Sequence, residues 1–418
     1  MNPEVLAYPF LFIAIFFESF ILITLLSKPA RLARIRAGGR AEVDTLPTVA
    51  IIVPCWNEET TLAATCESLL ALDYPTEKLE IILSDDGSTD RTPEVMATFA
   101  DHPQVRIISK KENGGKHTAL NAGVALTSAE FIGCLDADSF VEPGALQEII
   151  SCFSREKVAA VTAALSVHNP KSILAHMQNA EYFFGIAYRH TFASINGLYV
   201  TPGPFSFYRR AVIERLGGFR HGHQTEDMEM ALRLQRENYE IENAPRARVY
   251  TKVPLTVGAL IKQRTRWTTG FLRNVFGEYR SLLGNRQNPT LGMLVLPGAL
   301  LSVGSSILLF LIMFFTLGQN VVHAIETQSG IPLSYTLIPH NLSFDWFYLP
   351  ISVYAILGIL VLLISLSFIL VGKYISKTPG KLTMSLLSYI FLYGLIAPLW
   401  LSRATVDASF GTRRGWRW

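Results

Sequence analysis

Charge is sparse in this chain. Of 418 residues only 17% are Asp, Glu, Lys or Arg, and they sum to a net charge of +3. That balance supplies no strong basic field, and no nucleic-acid partner is expected. Cysteine is scarcer still: Cys55, Cys66, Cys134 and Cys152, none in a C-x-x-C pair. Their spacing argues against zinc, and buried thiols are expected rather than disulfides. No G-x-G-x-x-G follows the first strand-like run and no G-x-x-x-x-G-K-[ST] occurs, which argues against a nicotinamide cofactor and a P-loop. Internal repeats and low-complexity tracts are missing too.

The few charges are also unevenly spread. Residues 7–27, 291–325, 347–371 and 382–402 are nearly charge-free and long enough to cross a hydrocarbon core about 30 Å thick. Residues 46–285 have ordinary globular polarity. Three parts follow: an amino-terminal anchor and basic linker (1–45), a globular domain ending in an interfacial helix (46–285), and a membrane region with a basic tail (286–418). The first span has no basic stretch before it and no small-residue cleavage site after it, so it reads as an anchor. Lys28, Arg31, Arg34, Arg36 and Arg40 follow it and mark the cytoplasmic side. The loop 318–347 has no Lys or Arg and is expected outside; Lys373, Lys377 and Lys381 mark a second cytoplasmic turn. The reading is an integral protein of the plasma membrane, in contact with its lipids, with a cytoplasmic globular domain. Glu18, in mid-span, should face a bundle interior or a wet cavity; a translocation path and a pairing that only orients helices both remain open. Arg413, Arg414 and Arg417 favour a cytoplasmic tail. That requires one carboxy-terminal segment, broken near Pro398, not to span fully.

Within 46–285, "TVAIIVP", "LEIILSDDGS", "VRIIS" and "EFIGCLDADS" read as strands, separated by the helical patterns "EETTLAATCESLLAL", "TPEVMATFA" and "KHTALNAGVAL". This order predicts an α/β domain with a parallel, doubly wound sheet and ligands at the carboxyl ends of its strands. Those ends carry "PCWNEE", "SDDGSTD" and "DADS", which suggests one composite site. The apolar run Phe131–Leu135 stops in Asp136 and Asp138. An Asp- and Ser-capped turn is the plain alternative.

In this order the motifs resemble the inverting family-2 glycosyltransferases, over about residues 46–285 and, in outline, the membrane flanks. The membrane-embedded processive branch is closest in look: hyaluronan, chitin, cellulose and poly-N-acetylglucosamine synthases. The resemblance implies a GT-A fold and a nucleotide-sugar donor. It places nucleoside contacts on Asp86 or its neighbour Asp85, within "SDDG". In "NGGKHTALNAG", Lys116 and free amides at a helix start would face phosphate. Two phosphates beside carboxylates call for a hard cation, Mg²⁺ or Mn²⁺, which takes one or two carboxylates plus substrate oxygens. Asp138 is assigned as direct ligand and Asp136 as a contact to donor or metal.

"TPGPFSFYRR" resembles the acceptor-side segment, although Thr201-Pro202 replaces its common start; Gly203 is the candidate for close sugar approach. "TEDMEMALRLQREN" reads by itself as a capped amphipathic helix. By resemblance it is the TED motif, with Asp227 as general base and Glu226 beside it on the acceptor side. "KQRTRWTTGF" matches Q-x-x-R-W, which implies that Gln263, Arg264 and Arg266 contact the diphosphate and Trp267 stacks on the acceptor sugar. A basic helix that binds anionic lipid is the plain reading there. "FGTR" in the tail is similar to a WGTR segment that covers the donor site, with Phe410 in place of Trp.

The expected activity is transfer of sugar, with GlcNAc the best fit, from a UDP-sugar to a growing β-linked glycan. Single transfer to a polyprenyl or other lipid acceptor is the enzymatic alternative. A non-catalytic transport or lipid-binding protein is the alternative of another class. Accessory subunits or self-association remain open.

Overall fold

A computed structural model describes residues 4–27, 46–327 and 353–411. The linker residues Lys28, Arg31, Arg34, Arg36 and Arg40, the end of the loop 318–347, and Arg413, Arg414 and Arg417 lie outside the described residues.

Eight strands form one sheet: β1 (Val49–Cys55), β2 (Leu79–Asp85), β3 (Val105–Ser109), β4 (Phe131–Cys134), β5 (Ser139–Val141), β6 (Val158–Val167), β7 (Ser206–Arg209) and β8 (Glu240–Thr251). Their order is β3-β2-β1-β4-β7-β6-β8-β5. The first four are parallel, as the alternating pattern predicts. The whole sheet is not: β7 runs against both β4 and β6, and β5 runs against β8. β7 must start at the ligand edge, because residues 201–205 are delivered there before the chain turns back. Side chains alternate across β1, with Val49, Ile51 and Val53 in one core layer and Ala50 and Ile52 in the other.

The helices are α1 (Glu4–Leu26), α2 (Leu62–Leu70), α3 (Thr92–Ala97), α4 (Lys116–Leu126), α5 (Ala145–Ser151), α6 (Ile173–Ser194), α7 (Arg210–Arg215), α8 (Glu226–Arg236), α9 (Val257–Phe276), α10 (Leu296–Thr327), α11 (Val353–Ser376) and α12 (Thr383–Ser409). α2 and α5 cover one sheet face; α4, α7 and α8 cover the other. Cys55, Cys66 and Cys134 are buried as expected, whereas Cys152 is only half-buried.

Among the described residues, four helical stretches are long and apolar enough to cross a membrane: Val5–Leu26, Thr290–Thr327, Val353–Ser376 and Thr383–Ser409. Glu18 accepts from Ser365 Oγ on α11, at 3.2 Å. α12 continues through Pro398 instead of breaking there. Pro398 and its neighbours Ile396, Ala397 and Trp400 are buried, the last three against Leu174, Met177 and Leu260 of α6 and α9, and that packing offsets the missing backbone donor. α12 touches those helices at both ends: Asn179 Nδ2 donates to Ser385 Oγ at 3.2 Å, and Arg273 Nη2 to the Asp407 carbonyl at 2.7 Å.

Candidate active site

Strand register assembles the site. Cys55 pairs with Asp85 across β1 and β2, so their carboxyl ends are level. Cys134 pairs with Ser206 across the antiparallel β4 and β7. That register carries Asp136 and Gly203 past the strand ends side by side. A side chain at Gly203 would come within 2.6 Å of Lys116 Nζ and 3.1 Å of Asp136 Oδ1, so a larger residue there would push this pair from its present place.

Lys116 is the hub. Its Nζ lies 2.5 Å from Asp136 Oδ1 and 3.2 Å from Glu226 Oε1. Burial works against its charge, yet Asp136, Glu226 and Asp227 hold the ammonium well above the ordinary lysine range. Burial likewise opposes ionisation of Glu226, but Lys116 and Arg266 keep it below the usual carboxylate range. Asp227 is pushed the other way, to about 6, by burial and by the charge of Glu226. Gly203 N–H donates to Asp227 Oδ2 at 3.1 Å, and Thr201 Oγ1 donates to the Asp227 carbonyl at 2.6 Å. Thr201 in turn accepts from Tyr208 OH of β7 at 2.9 Å. The unusual Thr201-Pro202 start therefore serves to anchor Asp227.

Asp138 is held by Ser139 Oγ at 3.0 Å. Burial, with the charges of Asp136 and Glu58, pushes it up to about 7, and Glu58 is raised by burial and then by Asp136. Among the described residues no three His, Cys, Asp or Glu side chains are grouped closely enough to enclose a metal ion. The donor set fits a cation held by one or two carboxylates, with the remaining ligands coming from substrate oxygens and water. Convergence of Glu58, Asp136 and Asp138 is the repulsion that such a cation relieves.

Two expected donor contacts are otherwise engaged. Asp86 accepts from Gly114 N at 3.2 Å and Gly115 N at 2.7 Å, and is paired with Lys110. The amides expected to face phosphate at the start of α4 thus face a carboxylate of the chain itself, the anion a helix amino end favours. Asp85, fully buried, accepts from Ser88 N at 3.0 Å. Gln263 and Arg266 lie on α9, and Arg266 Nη1 donates to the Gln224 carbonyl at 3.1 Å, two residues before Glu226. Arg264 points away from Arg266: it pairs with Glu181 of α6 at 2.9 Å and donates to Gln263 Oε1 at 2.9 Å. Its guanidinium lies 4.1 Å over the ring of Trp267.

The turn before α8 also departs from expectation. Thr225 does not cap the helix with its side chain; its hydroxyl donates back to the Gly222 carbonyl at 2.7 Å. Gly222, His223 and Gln224 all have left-handed φ, of 51°, 55° and 68°. Asn274 of α9 grips this turn through the Gly222 carbonyl and Thr225 Oγ1. Sequence reasoning missed Asn274, Thr201, Glu58 and Glu181, since each acts through a contact between distant elements.

Residues 50–217 match the family model "Glycosyl transferase family 2". Those residues are thus similar to a family-2 glycosyltransferase domain. The chain is 34% identical, over 233 residues, to a poly-beta-1,6-N-acetyl-D-glucosamine synthase of Staphylococcus epidermidis; the match covers 55% of the chain and 56% of the relative. It is 32% identical over 249 residues to the synthase of the same name from Staphylococcus aureus strain COL, covering 59% and 60%. The matches thus span somewhat over half the length of these curated relatives. In three dimensions it resembles a mannosyltransferase of Pyrobaculum calidifontis solved with GDP-Man and Mn2+, with a TM-score of 0.58, 18% identity, and coverage of 97% and 100%. That likeness shows a GT-A fold.

Proposed function

We propose that this chain is an inverting, membrane-embedded glycosyltransferase that adds sugar from a UDP-sugar, with UDP-GlcNAc as first choice, to a growing β-linked glycan. One observation carries the reading: Lys116 joins Asp136 to Glu226, while Gly203 and Asp227 meet beside them. Donor-side and acceptor-side motifs thus share one centre. The names of the staphylococcal relatives support polymerised GlcNAc as the product class.

In this proposal Asp227 takes the proton of the acceptor hydroxyl as its oxygen attacks the anomeric carbon. Its raised pKa suits a base working near neutral pH, and Gly203 N–H and Thr201 hold it in place. Lys116, Gln263 and Arg266 face the diphosphate, and Asp85 and Asp86 shape the nucleoside side by fixing the neighbouring loops. Asp138 and Asp136 would hold Mg²⁺ or Mn²⁺, which neutralises charge on the departing diphosphate when bound. Trp267 offers a stacking face to the acceptor. Residues 46–285 form the catalytic domain on the cytoplasmic face of the plasma membrane, between the amino-terminal anchor (1–45) and the membrane region (286–418).

The test is a donor panel with purified full-length protein: UDP-GlcNAc, UDP-glucose, UDP-glucuronate and GDP-mannose, reading nucleotide release and product size. Release from UDP-GlcNAc with long products supports the proposal. A single added sugar on a lipid points to the alternative acceptor, and no turnover of any donor rejects the enzyme.

A further inference from the structure

We propose that Glu181 is a positioning residue for the acceptor sugar: paired with Arg264, it fixes the guanidinium against which the Trp267 ring lies. This rests on the reading of Trp267 as the acceptor's stacking face. Arg264 fills an unspecified position of Q-x-x-R-W, and its pairing with Glu181 takes it away from the diphosphate contact expected of it.

Residues two apart on a helix point about 200° apart. Arg266 therefore reaches the turn before α8 while Arg264 enters the seam between α9 and α6, where it is only 3% exposed. There its Nη2 is 2.9 Å from Glu181 Oε2 and its Nη1 is 2.9 Å from Gln263 Oε1. Tyr182 closes the cluster, its ring 5.7 Å from the guanidinium carbon. A buried guanidinium needs an anionic partner, and its charge centred over an indole face is a favourable cation–π geometry. Glu181 supplies that partner. With the guanidinium against one face of Trp267, a pyranose ring has the other, and Trp267 remains partly exposed. Loss of the Glu181 charge frees Arg264 to seek solvent or another carboxylate, and the indole loses its backing.

The experiment uses the full chain in detergent, with UDP-GlcNAc as donor and a β-1,6-linked N-acetylglucosamine pentamer as acceptor. Glu181→Gln is expected to raise acceptor KM roughly 3- to 30-fold, the range of a cation–π contact, and to leave UDP affinity within about twofold. Glu181→Asp should give an intermediate rise, and it carries the same comparison if Glu181→Gln does not fold. In a Trp267→Ala background the Glu181 change should add nothing, because the residue acts through that ring. Joint loss of acceptor and UDP affinity, or an effect that adds to Trp267→Ala, overturns the proposal in favour of a purely structural pair. Unchanged KM in Glu181→Gln beside a raised KM in Trp267→Ala overturns it and leaves the acceptor reading standing. Unchanged KM in Trp267→Ala removes both.

Discussion

Asn274 Nδ2 lies 3.0 Å from the Gly222 carbonyl and 3.1 Å from Thr225 Oγ1, so α9 grips the turn that delivers Asp227. Within that turn His223 and Gln224, non-glycine residues with left-handed φ, hold energy that surrounding contacts must offset. Asn274→Ala removes two of those contacts and leaves the Gly222 carbonyl only the bonds that Thr225 donates to it. We expect kcat to fall roughly tenfold to a hundredfold, as for a slightly misplaced catalytic group. Calorimetry should find UDP binding little changed.

Asp227→Asn keeps the shape of the side chain but cannot take a proton. The rate of UDP release should drop about 10²- to 10⁴-fold with UDP binding retained. Near wild-type turnover would refute the base assignment.

The pH profile gives an independent check. A base must be deprotonated, so kcat should decline as pH falls through about 6, the raised value at Asp227. Glu226 is a cause of that rise. Glu226→Gln removes its negative charge, lowers the Asp227 pKa and should move the acid limb to lower pH. A limb that stays put or moves upward would contradict this electrostatic account.

EDTA should abolish transfer, and Mg²⁺ or Mn²⁺ should restore it. Asp138→Asn is expected to lower activity at every metal concentration, since a charged oxygen ligand is lost. Full activity in chelator would return Asp136 and Asp138 to a turn-capping role.

α12 meets α6 and α9 near both of its ends, through Ser385 and Asp407. In the proposed topology the tail is cytoplasmic. Thr412→Cys in a chain with its four cysteines replaced should resist an impermeant thiol reagent applied outside intact cells, and ready labelling would place the tail outside.

The parallel half of the sheet was legible because each of its strands is a short apolar run that ends in polar residues, and α4 lies over Lys116–Leu126 as its pattern implies. The other half, of mixed strand direction, was not. β6, "VAAVTAALSV", is buried along its length and lacks the two-residue alternation that marks a strand with one wet face. Motif spacing also located Asp136, Gly203 and Asp227, because each sits at an element's end. It did not separate Arg264 from Arg266: the signature records their order, whereas helical phase and the partner Glu181 decide which way each points. Nor could it foresee that Asp86 would bind the glycine loop, since that depends on how β2 and α4 abut.

α6 lies between two solvents. Ala164 of β6 shares a cluster with its Ala180, Phe183 and Ile186, while Ile21 and Leu25 of α1 and Phe368 of α11 pack on its Ala187. Gly372 lets α11 press against its backbone at Phe183. One helix thus serves as floor to the sheet and ceiling to the bilayer helices. The globular half cannot then be severed cleanly: cutting the chain after α9 would strip α11 and α12 from this helix and turn a buried seam into a sticky face.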